Sequence, residues 1–281
     1  MTARPVIAVI AAGDMGSAVG ACLTERGCTV LTSLAGRSTA SRARAQAAGM
    51  ADASDAEIAN ADMILSIVPP GDALGLAERL APAMAAASRK PLYVDCNAVS
   101  PETVRGIAAA VEAAGAPFVD AGIVGGPPKR GYTPAIYASG LEARRFAALN
   151  AHGLDIRVMD GPVGKASALK MCYAGLTKGL HAVGVAVIQG AIEAGIAEPF
   201  FAELAASQPM LLDYFVGRTP GVFVKTYRWV AEMQEIGAFL GGPGEVIYGG
   251  AAALFDGMAE DHAGPRTEEA ELMAFLSRQR P

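Results

Sequence analysis

Charge is scarce in this chain of 281 residues and leans acidic: Asp, Glu, Lys and Arg make up 18% of it, and the formal net charge is −5. A protein that grips nucleic acid carries a basic face, so this balance excludes nucleic acid as the expected partner. The four cysteines, Cys22, Cys28, Cys96 and Cys172, show no CxxC and no paired metal spacing. They read as small hydrophobes in a reducing cytoplasm, and no metal site is expected. Long apolar runs are missing too. The longest in a helical setting, 182–192, is broken by Gln189 and flanked by His181 and Glu193, too short and too polar to span a bilayer, so no membrane is expected. No repeat or low-complexity linker occurs. What is abundant is Ala, Gly and a hydrophobic content of 52%, over a length that suits two domains by the usual prior of roughly 100–200 residues each.

The stretch that organises the rest is VIAVIAAGDMG, residues 6–16. Its first five residues form an apolar run of strand length. The remainder resembles the dinucleotide fingerprint Gly-x-Gly-x-x-Gly, with Ala11 in the first glycine's place, Gly13 and Gly16 in the others, and Asp14 and Met15 between them. Such a loop turns a parallel strand into a helix, here 14–26, whose free N–H groups face a pyrophosphate. Gly13 lets backbone approach phosphate and Gly16 lets the helix pack on the strand, whereas an alanine at position 11 carries a cost if that turn needs a positive φ.

A second strand is expected over 28–34. A cofactor with a free adenosine 2′-hydroxyl usually meets a carboxylate at the end of this strand, while a 2′-phosphate needs cations and hydroxyls. The segment reads Gly36, Arg37, Ser38, Thr39, then Ser41, Arg42 and Arg44, with no carboxylate. Arg37 can fork onto the phosphate, Ser38 caps the next helix and donates to an oxygen, and Arg42 adds charge, so NADP(H) is preferred over NAD(H).

From residue 51 helix and strand alternate, as a doubly wound parallel sheet demands. A capped helix is expected over 54–60 and a strand over 63–68. Val68, Pro69 and Pro70 end that strand and face the cofactor crevice. Further elements follow: a helix over 72–86, a strand over 91–95, a helix over 101–114 capped by Ser100, and strands over 118–120, 134–139 and 156–159.

The segments AAGDMG, SIVPP, DCNAVSPET, DAGIVGGPP and GPVGKASALKMCYAGLTKG together resemble the β-hydroxyacid dehydrogenase family related to 6-phosphogluconate dehydrogenase. The later segment YRWVAEMQEIGAF resembles a branch whose second domain has no known function. The resemblance implies that Asn97 lies near the nicotinamide ribose, that Gly125 and Gly126 form a backbone-donor loop for substrate, and that Lys170 is the catalytic lysine. Two departures accompany it. Where the better-known enzymes have a serine before the two glycines, this chain has Val124, which cannot hydrogen-bond a carboxylate; where they have an asparagine one turn after the lysine, it has Tyr173 followed by Ala174.

The residues argue for Lys170 independently. Gly161, Pro162 and Gly164 break the chain after the last strand, and a helix from 165 to about 195 places Lys170 near its start, at the sheet's carboxyl edge. Helical spacing aligns Lys170, Tyr173, Ala174, Thr177, Lys178 and His181 on one side. In ketone reduction the oxygen gains negative charge as hydride arrives, so a positioned ammonium stabilises it and supplies the proton; in alcohol oxidation the neutral amine removes it. Tyr173 is a substrate contact or proton relay, and Lys178, His181 and Glu232 are candidate substrate residues.

Beyond residue 195 helices are expected over 200–207, 221–239 and 245–258, with a last one ending near 278. In the middle one Trp229, Met233 and Ile236 share an apolar stripe, and Arg228 and Glu232 can pair on its shoulder. The expected architecture is therefore a Rossmann domain over 1–162 followed by an all-α domain over 163–281 that packs a homodimer. The expected activity is NADP(H)-dependent hydride transfer to or from the hydroxyl-bearing carbon of a small, anionic substrate. Imine reduction with Tyr173 as donor, and a non-catalytic NADP(H)-binding sensor or scaffold, are the alternatives.

Overall fold

The computed structural model describes residues 4–278. The chain forms two compact units, residues 1–171 and 172–281, so the division falls inside a helix rather than ahead of it at 162.

In the first unit strands and helices alternate: Val6–Ile10 (β1), Asp14–Glu25 (α1), Thr29–Thr32 (β2), Thr39–Ala47 (α2), Ala51–Asp52 (β3), Asp55–Ile58 (α3), Met63–Ser66 (β4), Ala73–Ala86 (α4), Leu92–Asp95 (β5), Pro101–Ala113 (α5), Phe118–Val124 (β6), Ala135–Ser139 (β7), Ala143–Phe146 (α6) and Asp155–Val158 (β8). The strands form one sheet in the order β3-β2-β1-β4-β5-β6-β7-β8. Because alternate side chains of a strand leave on opposite faces, each buried strand feeds two cores. Ile7, Val9, Leu65, Val94 and Ile123 pack on one face with Val19 and Leu23 of α1, while Ala8, Ile10, Ile64 and Tyr93 pack on the other with Leu76 and Leu80 of α4 and Ile107 of α5.

The sheet is the doubly wound one expected and is parallel except at one place, where β6 and β7 pair antiparallel. Only residues 125–134 join them, and a parallel crossover needs a dozen residues or more. The strand expected over 118–120 also runs on to Val124.

Caps place the helices. Ser54 and Glu57 make a reciprocal capping box ahead of α3, and the Ser100 hydroxyl accepts the Thr103 N–H at 3.2 Å ahead of α5.

Helix Lys165–Glu193 (α7) begins in the first unit and continues into the second, which adds Ala197–Ser207 (α8), Pro209–Arg218 (α9), Thr226–Leu240 (α10), Gly242–Ala263 (α11) and Thr267–Arg278 (α12). α7 is long and apolar enough to cross a membrane by composition, contrary to the shorter run considered above; 44% of its most apolar window is buried inside the protein. Two expectations change in this unit. α9 was not foreseen, although Pro209 occupies a first helical turn, where proline is favoured. The helix expected over 221–239 begins only at Thr226, because Phe223–Lys225 form a 3-10 turn. The expected stripe is present: Met233 and Ile236 are fully buried, and Trp229 meets Phe255 edge-on at 5.2 Å.

Candidate active site

The sheet reverses its winding between β1 and β4, and a ligand crevice forms outside the strand ends at such a switch point. Gly13 stands at the start of α1 with open space where a Cβ would be, while a Cβ on Gly16 would overlap the Ala11 carbonyl oxygen. The second glycine is therefore free for close approach by a ligand and the third is demanded by helix-on-strand packing. Ala11 is not among the positive-φ residues, so alanine meets no left-handed penalty there. Asp14 is exposed and Met15 packs on the core. This glycine cradle fits a dinucleotide.

Behind the loop, Arg44 donates to the Ala12 carbonyl at 3.0 Å. Arg42 donates to the Leu34 carbonyl at 2.7 Å and to the Arg37 carbonyl at 3.2 Å, so it braces the turn instead of facing outward as a ligand. Ser38 caps α2, its hydroxyl accepting the Ser41 N–H at 3.2 Å. The guanidinium of Arg37 is left without an ion pair among the described residues. One carboxylate, hidden in sequence, does reach this place: Asp52 of β3 accepts the Leu34 N–H at 2.8 Å.

Asn97 is only 3% exposed, with its amide engaged on three sides. It donates to Ser66 Oγ at 2.8 Å and Asp95 Oδ2 at 2.7 Å, and its oxygen accepts the Val68 N–H at 2.7 Å. In this position it ties the ends of β4 and β5 together, just ahead of Pro69 and Pro70. Asp95 is fully buried, and burial pushes its carboxyl up to about 7, against the pull of its two hydrogen bonds from Asn97.

Asp120 fixes the start of α7. One carboxylate oxygen accepts the N–H groups of Gly164 (2.8 Å), Ala166 (3.0 Å) and Ser167 (3.1 Å) and the Ser139 hydroxyl (2.9 Å), while the other accepts the Ser167 hydroxyl at 2.7 Å. A carboxylate at a helix N-terminus satisfies its orphan donors and complements its dipole. Gly122 lets the helix lie close: a Cβ there would sit 3.0 Å from the Lys170 Cβ and 3.1 Å from the Ala166 carbonyl oxygen. Lys170 then extends over the strand end, its ammonium donating to the Ile123 carbonyl at 2.8 Å. Sequence reasoning missed Asp120, Ser139, Ser167 and Gly122, although DAGIVGG carried two of them in plain view.

The residues expected on one side of α7 do not share one environment. Ala174 and His181 are buried, whereas Tyr173 is 50% exposed. The second unit does gather Lys178, His181 and Glu232. Lys178 is ion-paired to Glu232 and lies 5.1 Å from the Trp229 ring centroid. His181 stacks on Tyr214, whose hydroxyl is 3.1 Å from its Nε2. Burial, with Arg218 and Lys225 nearby, pushes His181 down to about 4. The ion pair matches the charge of Lys178 with that of Glu232. Cys172 is exposed, so it is not the core hydrophobe expected.

An open, mostly parallel sheet with a glycine turn at its switch point and helices on both faces defines a dinucleotide-binding protein of the Rossmann class. Residues 6–152 match the family described as the NAD binding domain of 6-phosphogluconate dehydrogenase, to which this chain belongs, and residues 191–260 match a domain of unknown function. An uncharacterized 28.5 kDa protein in the 7S RNA 5′ region of Methanothermus fervidus is 30% identical over 184 residues, 65% of this chain and 69% of that protein. A conserved protein of unknown function, described as structurally similar to 3-hydroxyacid dehydrogenases, is 30% identical with a TM-score of 0.69, over 92% of this chain and 97% of the other. The fold is shared with 3-hydroxyisobutyrate dehydrogenase of Mycobacterium tuberculosis, solved with L-serine (19% identity, TM-score 0.64, 99% and 100% covered). It is shared also with an imine reductase of Myxococcus stipitatus in complex with NADP+ (19%, 0.55, 98% and 100%). Family and fold make this chain an NAD(P)-binding oxidoreductase.

Proposed function

We propose that the protein is an NADP(H)-dependent dehydrogenase acting at a hydroxyl or carbonyl carbon of a small anionic substrate, with Lys170 as general acid and base. The observation that carries this reading is the ammonium of Lys170 held on the Ile123 carbonyl at the carboxyl end of β6, by a helix whose start is pinned by Asp120. The dinucleotide, when bound, supplies or accepts the hydride. Ala11, Gly13, Asp14, Met15 and Gly16 would hold its pyrophosphate, Arg37 and Ser38 its 2′-phosphate, with Arg42 bracing them, and Val68, Pro69, Pro70 and Asn97 would border its crevice. Lys170 steadies the substrate oxygen as negative charge builds there and passes it a proton; in the other direction its amine takes that proton away. A reducing cytoplasm suits the four free cysteines.

Lys170→Met keeps the apolar stem and removes the charge and the proton. Turnover of NADPH with a panel of keto acids and aldehydes is expected to fall about 10²–10⁴-fold, with NADPH affinity kept. A variant that retains near-wild-type turnover would end the lysine reading. Imine reduction through Tyr173 has one observation in its favour, the exposure of that phenol; there Tyr173→Phe costs more than the lysine change on an imine panel.

We infer a homodimer through the helical unit. Leu176 (74% exposed), Val183 (59%) and Val187 (49%) of α7, with Val246 (77%) and Ile247 (63%) of α11, leave large apolar side chains uncovered in the single chain. Sedimentation should give a dimer that Val183→Asp weakens; a monomeric wild type would refute it.

A further inference from the structure

Val124 supplies no hydroxyl at the head of the glycine loop, yet the fold brings another one there. After β6 the chain makes a small hairpin in which Lys129 and Tyr132 exchange backbone hydrogen bonds of 2.9 and 2.8 Å, closed by Gly131 at a φ of +78°. This turns the Tyr132 ring back over the glycine pair. Its hydroxyl accepts the Gly126 N–H at 3.3 Å, and Gly125, at a φ of +131°, has no room for a Cβ, which would run into that same hydroxyl. The phenol oxygen accepts a hydrogen bond from the backbone and keeps its own O–H to donate.

Beside the ring is an open depression of about 470 Å³ lined by Gly126, Pro127, Pro128, Lys129 and Tyr132, a size within the ordinary range of small-molecule sites. The two prolines fix φ and stiffen one wall. Lys129 and its neighbour Arg130 make no ion pair among the described residues, in a chain whose net charge is negative. The Ile123 carbonyl that holds Lys170 lies in β6, two residues ahead of Gly125.

We propose that this hairpin is the specificity element for the substrate's oxyanion, a carboxylate or phosphate, with the Tyr132 hydroxyl and the Lys129 ammonium as its donors. It takes over the contact that Val124 cannot make, and its size admits substrates longer than a short hydroxy acid. The inference rests on Lys170 marking the place of chemistry.

The test is calorimetric titration of the NADPH-saturated protein with glutarate, with inorganic phosphate and with uncharged glutaramide. Saturable binding of glutarate or phosphate is expected, without binding of glutaramide, and the anion that binds identifies the source. Lys129→Met should weaken it about tenfold or more and Tyr132→Phe severalfold, while Lys170→Met should leave it in place. No saturable binding of either anion by the wild type, equal binding of glutaramide, or unchanged affinity in both hairpin variants overturns the proposal. The outcomes separate from those for Lys170: normal turnover in Lys170→Met with anion binding that still depends on Tyr132 would sink the catalytic reading and leave the hairpin's role standing.

Discussion

Asp95 and Asp120 stand opposite each other in register on β5 and β6, both with no solvent exposure, and the protein treats them in opposite ways. Asp120 is surrounded by three backbone N–H groups and two hydroxyls. Asp95 has two bonds from Asn97 and a carboxylate for a neighbour, and burial pushes it up to about 7. Two like charges side by side in a dry sheet are unfavourable, and the arrangement lets one of them stay protonated.

Removing the member with the fuller set of hydrogen bonds should be costly. Asp120→Ala strands the buried N–H groups of Gly164 and Ser167 and the hydroxyls of Ser139 and Ser167, while the Ala166 N–H keeps the Ser139 oxygen; at about 1–3 kcal/mol for each group left unmade, a loss of at least about 3 kcal/mol is expected in urea unfolding. A loss below about 1 kcal/mol would mean that water replaces the carboxylate.

The other member should show itself through pH. Asp95 keeps its proton in the native state where the unfolded chain has lost it, so its stabilising contribution is complete below about pH 4 and disappears as pH rises through about 7. His181 works the other way: held neutral down to about 4, it contributes above about pH 6.5 and that contribution is lost as pH falls through 4. Asp95→Asn should therefore gain thermal stability relative to wild type on going from pH 5 to pH 8, and His181→Phe should gain relative to wild type on acidification. Differences that stay constant across this range would count against both assignments.

Cofactor choice can be tested at Arg37. Arg37→Ala should weaken NADPH binding by the value of a charge-assisted hydrogen bond, about 1.5–3 kcal/mol, and leave NADH nearly unaffected. Equal losses in fluorescence titrations, or tighter wild-type binding of NADH, would give the carboxylate of Asp52 the decisive part at this end of the sheet.

The sheet and its glycine turn were legible because they are local. Apolar runs of strand length, Gly13 and Gly16 at fixed offsets, and prolines at 69 and 70 act on their immediate neighbours. The support of Lys170 was not, since Asp120 meets partners 19 to 47 residues away, and nothing in the alternation of DAGIV says which aspartate a distant helix will use. Arg42 shows the same limit at shorter range: its charge was readable, but not that two carbonyls would occupy it. Tyr132 was overlooked because a ten-residue connection gives no period to read, only a turn whose closure returns a ring to its origin.

The cap on α7 also bears on how the protein folds. Asp120 cannot leave water until Gly164, Ala166 and Ser167 are there to receive it, and those amides have no other partner so strong, so strand and helix start must lock together in one cooperative event. Hydrogen exchange at these three amides should then report opening of the central sheet, with protection far above that of an ordinary fraying helix end.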